Sequence, residues 1–438
     1  MALNLFVLLV VLFGTIMISL VVVLVMHGTW QRLLLIGFIS GLCFYSGIGA
    51  AYPEVPSYYL FFYFGFLLAF VIAFWFFKVA FYHISLLSEQ ALNPVLNNVS
   101  RHPFWFVIIL LYLFLYLVPL IYPELRIHQL LKPPSPDLAR HFTKRWETQE
   151  MNIIMKIIEY FRILLMPFFY VALFRYRERM SLILIIFTML LYFQFVSTGY
   201  IGRSAIGMVM ATFFIAFWVS RPKYRRIILL IVILIIPIFL VSSYYYSIVR
   251  IGGSFSGVKP LQAIVNLMKQ ETSFPHKVGI PIIESQNIVN LYDFTKWIIT
   301  LPIPKLLTGE IEGARINYEI SEIVLGLNRG ERGWYIVLPG LVAESVYIYG
   351  RYFFWVHAFF IAFFAAFLLR LMEKIPQLLF LKAYLLVIFA FQTNRGGISG
   401  PLGIFINQFM FFYLFVLFAI FILPIISKKN NLFNRKLE

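Results

Sequence analysis

Apolar residues run along this chain in blocks far longer than a strand or an ordinary core helix requires. They cover about 4–26, 33–51, 59–82, 104–122, 152–174, 181–199, 203–219, 228–246, 352–370, 376–392 and 401–427. Most blocks hold roughly 18 to 25 residues, enough for a helix to cross a hydrocarbon core about 30 Å thick. Inside that core every backbone N–H and C=O must find its partner within the segment, so helices are the expected form. The pattern predicts an all-α polytopic membrane protein with about 11 transmembrane helices, in the range 10–13. The first block is too long for a signal peptide and no small-residue cleavage site follows it, so it reads as an anchor.

The polar stretches between blocks set the sides. Arg175 to Arg179, Arg221 to Arg226, Arg370 to Lys374, and the tail residues Lys428, Lys429, Arg435 and Lys436 are compact and basic. Such loops collect on the cytoplasmic face. Counting spans from them places 52–58, 123–151, 199–203, 247–351 and 393–400 outside. Three regions result: eight helices with an outer loop at 123–151 over residues 1–246, a large outer loop over 247–351, and three helices with a basic cytoplasmic tail over 352–438. Within the large loop, Ile316 to Leu327 has helical apolar spacing. The stretch 334–350 is apolar yet carries Pro339, Gly340 and Glu344, and reads as an interfacial or re-entrant segment.

Composition agrees and closes off other classes. The chain is 61% hydrophobic and 13% charged, against about 45–50% and about 25% for soluble domains. A soluble globular protein is excluded. Cys43 is the one cysteine and lies in an apolar block, so no disulfide framework exists. A net charge of +17 would point to nucleic acid in a soluble chain. In a membrane protein, cytoplasmic loops held by anionic lipid head groups account for much of it, and no nucleic-acid partner is expected.

The familiar signatures of soluble enzymes are missing: there is no GxSxG, P-loop, HExxH, CxxC or dinucleotide fingerprint. The seven histidines are scattered, and Glu310 with Glu312 is the nearest approach to a metal-binding pair on the outer side. Neither a metal nor a cofactor is expected. Arginine at the outer boundary is the distinctive feature. Arg203 sits between two spans, Arg250 follows the eighth, Arg315, Arg329 and Arg332 lie in the large loop, and Arg395 lies in the last outer loop. The positive-inside rule does not explain outer arginines, and a guanidinium fork suits phosphate oxygens in pairs. Individually, each arginine could instead snorkel or pair with a carboxylate; as a set they point to an anionic ligand. Glu344 is an ionisable residue in an apolar segment, where pairing with an arginine or service as a base are both open. His276 is a second candidate base. Lys156, Glu159 and Arg162 share one helical face of the fifth span and read as a structural ion cluster.

Between Thr198 and Leu402 the layout resembles the O-antigen and capsule repeat-unit polymerases of the Wzy type, with the O-antigen ligases close to them. The resemblance rests on Gly202, Arg203 and Ser204 at a span boundary and on a large outer loop before the last spans. It rests also on Leu301 to Pro304, on Leu338 to Glu344 followed by Tyr349 and Gly350, and on Asn394 to Gly396. An arginine eleven residues before a glycine is a spacing associated with outer loops of some members. Arg315 with Gly326 and Arg329 with Gly340 have it, and Arg203 departs from it.

The resemblance implies a GT-C-like membrane glycosyltransferase in the bacterial inner membrane, with one large periplasmic loop and its active site facing the periplasm. Its substrates would be undecaprenyl-diphosphate-linked oligosaccharides, polymerised without a metal, with membrane lipids around it and a chain-length regulator as a candidate partner. Glu344 or His276 would be the base, and Arg203, Arg250, Arg315, Arg329, Arg332 and Arg395 would hold diphosphate. An O-antigen ligase is the alternative within the same chemistry. A polysaccharide flippase is the alternative from another class, although no internal repeat appears.

Overall fold

Chain segments with no way to satisfy their backbone except internally have all become helices: every regular element among the described residues is helical. The structure is a computed structural model and describes residues 3–100, 103–121, 149–197, 203–250, 257, 259–301, 316–328, 331, 334 and 337–418. In chain order the first helices are α1 (Leu5–Val25), α2 (Thr29–Leu42), α3 (Tyr59–Ala80), α4 (Tyr82–Ser100) and α5 (Phe104–Ile121). They are followed by α6 (Gln149–Arg175), α7 (Met180–Ser197), α8 (Arg203–Ser220) and α9 (Arg225–Arg250). The large loop supplies α10 (Pro260–Thr272), α11 (Ile280–Ser285), α12 (Leu291–Thr300) and α13 (Ile316–Leu325). The last part holds α14 (Leu341–Met372), α15 (Leu379–Val387) and α16 (Ser399–Ile404).

Seven described helical segments are long and apolar enough to cross a membrane: Leu5–Val25, Thr29–Ala51, Tyr59–Ala80, Pro222–Tyr245, Leu341–Met372, Pro376–Gly396 and Gly400–Phe418. Phe104–Leu117, Met180–Phe193 and Ile206–Ser220 are shorter apolar helices. Leu5, Phe6, Phe13 and Leu24 of α1 and Ile233, Leu234 and Ile238 of α9 stand exposed. Apolar faces of that extent would drive aggregation in water and are at ease against lipid tails. The chain is a polytopic membrane protein. Helix α4 falls where the sequence shows no apolar block; its polar positions, Glu89, Gln90 and Asn93 among them, make it a helix too polar to read as a span.

Hydrogen bonds between distant segments sort the loops into two ends. Asn4 donates its backbone N–H to Ala51, Tyr52 bonds Thr272, and Tyr58 donates to Glu284, so these residues share one end with the large loop. At the opposite end, the Glu373 carboxylate accepts from Arg370 at 2.6 Å and from Gln31 at 2.6 Å. Arg370 also donates to the Lys78 carbonyl, and the buried Lys382 ammonium donates to the carbonyls of Glu373 and Ile375. This network ties α2, α3, α14 and α15 together where their backbone would otherwise be left unpaired.

Aromatic rings pack α3 against α14, with Phe62 on Phe354 at 5.1 Å, Phe77 on Phe363 at 5.4 Å and Phe81 on Phe367 at 5.7 Å. Helix α2 meets the end of α15 more closely still. A Cβ on Gly41 would stand 1.8 Å from the Ala390 carbonyl oxygen, so only glycine lets the two backbones approach this far. That approach is what carries the 394–398 turn into the middle of the bundle.

Helix α14 is broken at Gly350, whose φ of 76° and ψ of 174° lie outside the range of ordinary side chains. The Leu341–Tyr349 stretch turns sharply away from the remainder. It is braced by the loop helices through a small core of Val278, Ile282, Ile316, Ile320, Tyr347 and Ile348. Tyr347 donates to Glu319 at 2.6 Å, and Arg351 donates to the Ile283 carbonyl through Nε at 2.8 Å and through Nη2. The segment expected to be interfacial or re-entrant is thus, from residue 341 onward, a buried half-helix bent back on the span that follows it.

Candidate active site

The Gly350 break has one direct chemical result. Along a straight helix, Glu344 and His357 would lie about 20 Å apart. In the bent chain His357 Nε2 and Glu344 Oε2 are 3.1 Å apart, and both side chains are fully buried. With Glu344 ionised, the carboxylate can only accept, so Nε2 carries the proton and donates it. The same Oε2 accepts the backbone N–H of Ile398 at 2.6 Å. Glu344 Oε1 and His357 Nδ1 have no hydrogen-bond partner among the described residues. A buried polar atom without a partner is costly, all the more so in a dry interior.

The turn that reaches Glu344 is built by a wide helical turn. Ile388–Thr393 follows α15 as a π-turn, then Asn394–Gly396 makes one more helical turn, and Gly397 leaves it with φ at 76°. Asn394 locks it by donating from Nδ2 to the carbonyls of Phe38 (3.1 Å), Phe389 (2.9 Å) and Ala390 (3.1 Å). A Cβ on Gly397 would lie 2.4 Å from the Glu344 carboxylate carbon and from both its oxygens. Gly397→Ala therefore meets two penalties, a clash with a buried charge and roughly 1–2 kcal/mol for a left-handed backbone. The full-length variant in detergent should unfold at a lower temperature than the parent. An unchanged unfolding temperature would mean that the turn can step aside from Glu344.

Arg395, in the same turn, is engaged. Its Nε donates to Glu271 Oε2 at 2.7 Å and its Nη2 to Oε1 at 3.1 Å, a bidentate fork at the end of α10. Both side chains are mostly buried, at 24% and 15% exposure, which makes this pair far less screened than a surface ion pair. Tyr45, on the Cys43–Gly47 π-turn that continues α2, packs against Phe274 and Phe391 with ring centroids 6.0 Å away in each case. The charge that the sequence offered to a ligand is held here by an internal carboxylate.

No protein-family model matches the chain. No curated protein and no solved structure is significantly similar to it either.

The remaining sequence candidates divide clearly. His276 lies on the Pro275–Gly279 π-turn, partly exposed and without a side-chain hydrogen bond among the described residues. The imidazole that meets Glu344 is His357 instead, and no arginine bonds that carboxylate. Arg203 begins α8 and Arg250 ends α9, but their side chains fall outside what the structure describes. Arg315, Arg329, Arg332, Glu310 and Glu312 lie outside the described residues. Of the expected ion cluster in α6, Arg162 lies over the Tyr116 ring at 4.9 Å, and the side chains of Lys156 and Glu159 are not described. Among the described residues no group of three His, Cys, Asp or Glu side chains comes together.

Sequence reasoning missed His357, Glu271 and Gly397. For His357 a signal was present: it is an ionisable residue inside the apolar run 352–370, which by itself is costly enough to ask for a partner. Glu271 carried none, being one acidic residue in a loop of mixed charge.

Proposed function

We propose that this chain is a membrane glycosyltransferase that polymerises undecaprenyl-diphosphate-linked oligosaccharide repeat units, with Glu344 as the base. The observation that carries the reading is the Glu344 carboxylate, buried at the large-loop end with Oε2 held twice and Oε1 held by nothing among the described residues. The arginines and the family resemblance supply the substrate class. In this reading eleven helices span the bacterial inner membrane, the Glu373 end faces the cytoplasm and the Glu344 end faces the periplasm.

The acceptor sugar hydroxyl gives its proton to Glu344 Oε1 as its oxygen bonds the anomeric carbon of the donor. The bond from that carbon to the diphosphate breaks, and the electron pair leaves with the diphosphate. Arg395 stabilises the charge that gathers there, joined by arginines of the large loop. Preorganised donors in a water-poor site favour that charge more in the transition state than in the ground state. Since Glu344 is fully buried, the acceptor reaches it only when the 394–398 turn and the loop helices part. The Arg395–Glu271 fork spans that seam, and an incoming diphosphate competes with Glu271 for the same guanidinium.

The test is reconstitution. Full-length protein in vesicles, given lipid-linked repeat units from a strain lacking this chain, should make polymer, and should do so in excess EDTA at near its usual rate. Recovery of unpolymerised repeats alone would overturn the polymerase reading. Rescue by Mg²⁺ after chelation would return Glu310 and Glu312 to consideration as ligands.

A further inference from the structure

We propose that His357 is the positioning residue for Glu344: it holds Oε2 through Nε2–H so that Oε1 alone is presented to the attacking hydroxyl. The inference rests on the glycosyltransferase reading and adds to it a residue that neither the sequence motifs nor the arginine set points to.

Three observations carry it. First, the pair exists only because the chain bends. The Gly350 break brings together two ionisable groups 13 residues apart and buries both completely. A bilayer span does not bury an imidazole and a carboxylate together for stability alone, since a packed apolar pair is usually as stable or more so.

Second, the hydrogen bonding is one-sided. Oε2 accepts from both His357 Nε2 and the Ile398 N–H, two donors on one oxygen, while Oε1 accepts from none among the described residues. Two donors fix the plane of the carboxylate and leave a single basic oxygen, the arrangement that proton abstraction from a defined direction requires.

Third, the imidazole cannot turn freely. Phe66 and Phe360 have ring centroids 6.4 Å and 6.3 Å from that of His357, and Tyr349 is at 5.7 Å on the far side of the Gly350 break. Apolar packing on these sides holds the ring with Nε2 toward Glu344, so the donor is set before any substrate arrives.

The geometry separates two near-isosteric replacements. Glutamine places its amide nitrogen close to where His Nε2 stands, and asparagine places its own closer to Nδ1. Full-length His357→Gln should keep kcat within about tenfold of the parent on the same lipid-linked repeat units. His357→Asn should lose roughly 10²-fold in kcat, a typical share for general base catalysis. KM should move less than about threefold in both, because neither side chain touches the donor.

A spectroscopic arm is independent of turnover. In protein carrying ¹⁵N-histidine, the His357 Nε2–H resonance should show a strong hydrogen bond to a carboxylate and should shift in Glu344→Gln. Equal kcat in the Gln and Asn variants would overturn the positioning role, as would a His357 resonance indifferent to Glu344→Gln. If the His357 variants turn over like the parent while Glu344→Gln is dead, the positioning role fails and the glycosyltransferase reading stands. If Glu344→Gln itself is fully active, the reading fails.

Discussion

Glu344→Gln should stop polymer formation almost completely while leaving the protein in the membrane at its normal level. A glutamine can rotate its amide oxygen to accept from His357 and Ile398, which keeps both buried donors satisfied. What it cannot do is take a proton. The expected loss in kcat is about 10²–10⁴-fold, the usual range for a general base. Glu344→Ala is a different experiment, because it leaves His357 and the Ile398 N–H buried without an acceptor. Breaking one side of a buried pair costs about 3–5 kcal/mol, so the alanine variant should fall in membrane level as well as in activity. Immunoblots of membranes beside polymer gels of the same cells separate the two. Glutamine with normal polymer would remove Glu344 from the chemistry.

Arg395→Lys should cost roughly 10²–10³-fold in activity, comparable with losing one preorganised donor to a developing anion. Lysine keeps the charge and loses the fork that meets both oxygens of Glu271. The informative partner is Glu271→Gln. It removes the internal carboxylate that occupies the guanidinium, so binding of inorganic pyrophosphate to the full-length protein should tighten relative to the parent. Isothermal titration of parent, Arg395→Lys and Glu271→Gln in detergent gives the comparison. Pyrophosphate affinity equal in all three would sink the idea that diphosphate and Glu271 compete for Arg395.

How much of this was legible beforehand depended on whether the cause was local. Long apolar blocks announce helices because the bilayer leaves the backbone no other solution, and the observed helices fall within or across those blocks. Glu344 and Arg395 stood out for a related reason: charge in or beside an apolar run is expensive wherever it occurs. The pairings were not legible. Glu344 and His357 meet across a break that helical periodicity cannot foresee, since spacing of 13 along a straight helix predicts no contact. Arg395 meets Glu271 across 124 residues of chain, and nothing in either neighbourhood marks the other. Helix α4 escaped because its amphipathic pattern is too polar for a hydropathy reading.

The π-turn at Ile388–Thr393 makes this region sensitive to chain length as well as to residue identity. A π-turn accommodates one residue more than the α-helical repeat, and here that residue is absorbed just before Asn394. Deleting any one position from 388 to 393 would let the chain relax into ordinary helix and rotate everything after it by about 100°. Asn394 would swing off the Phe38 carbonyl, and the Ile398 amide would leave Glu344. Apolar exchanges of similar size at Ile388 or Phe389 would leave that register intact. Among descendants of this sequence, point changes in the turn should therefore accumulate far more readily than single-residue insertions or deletions.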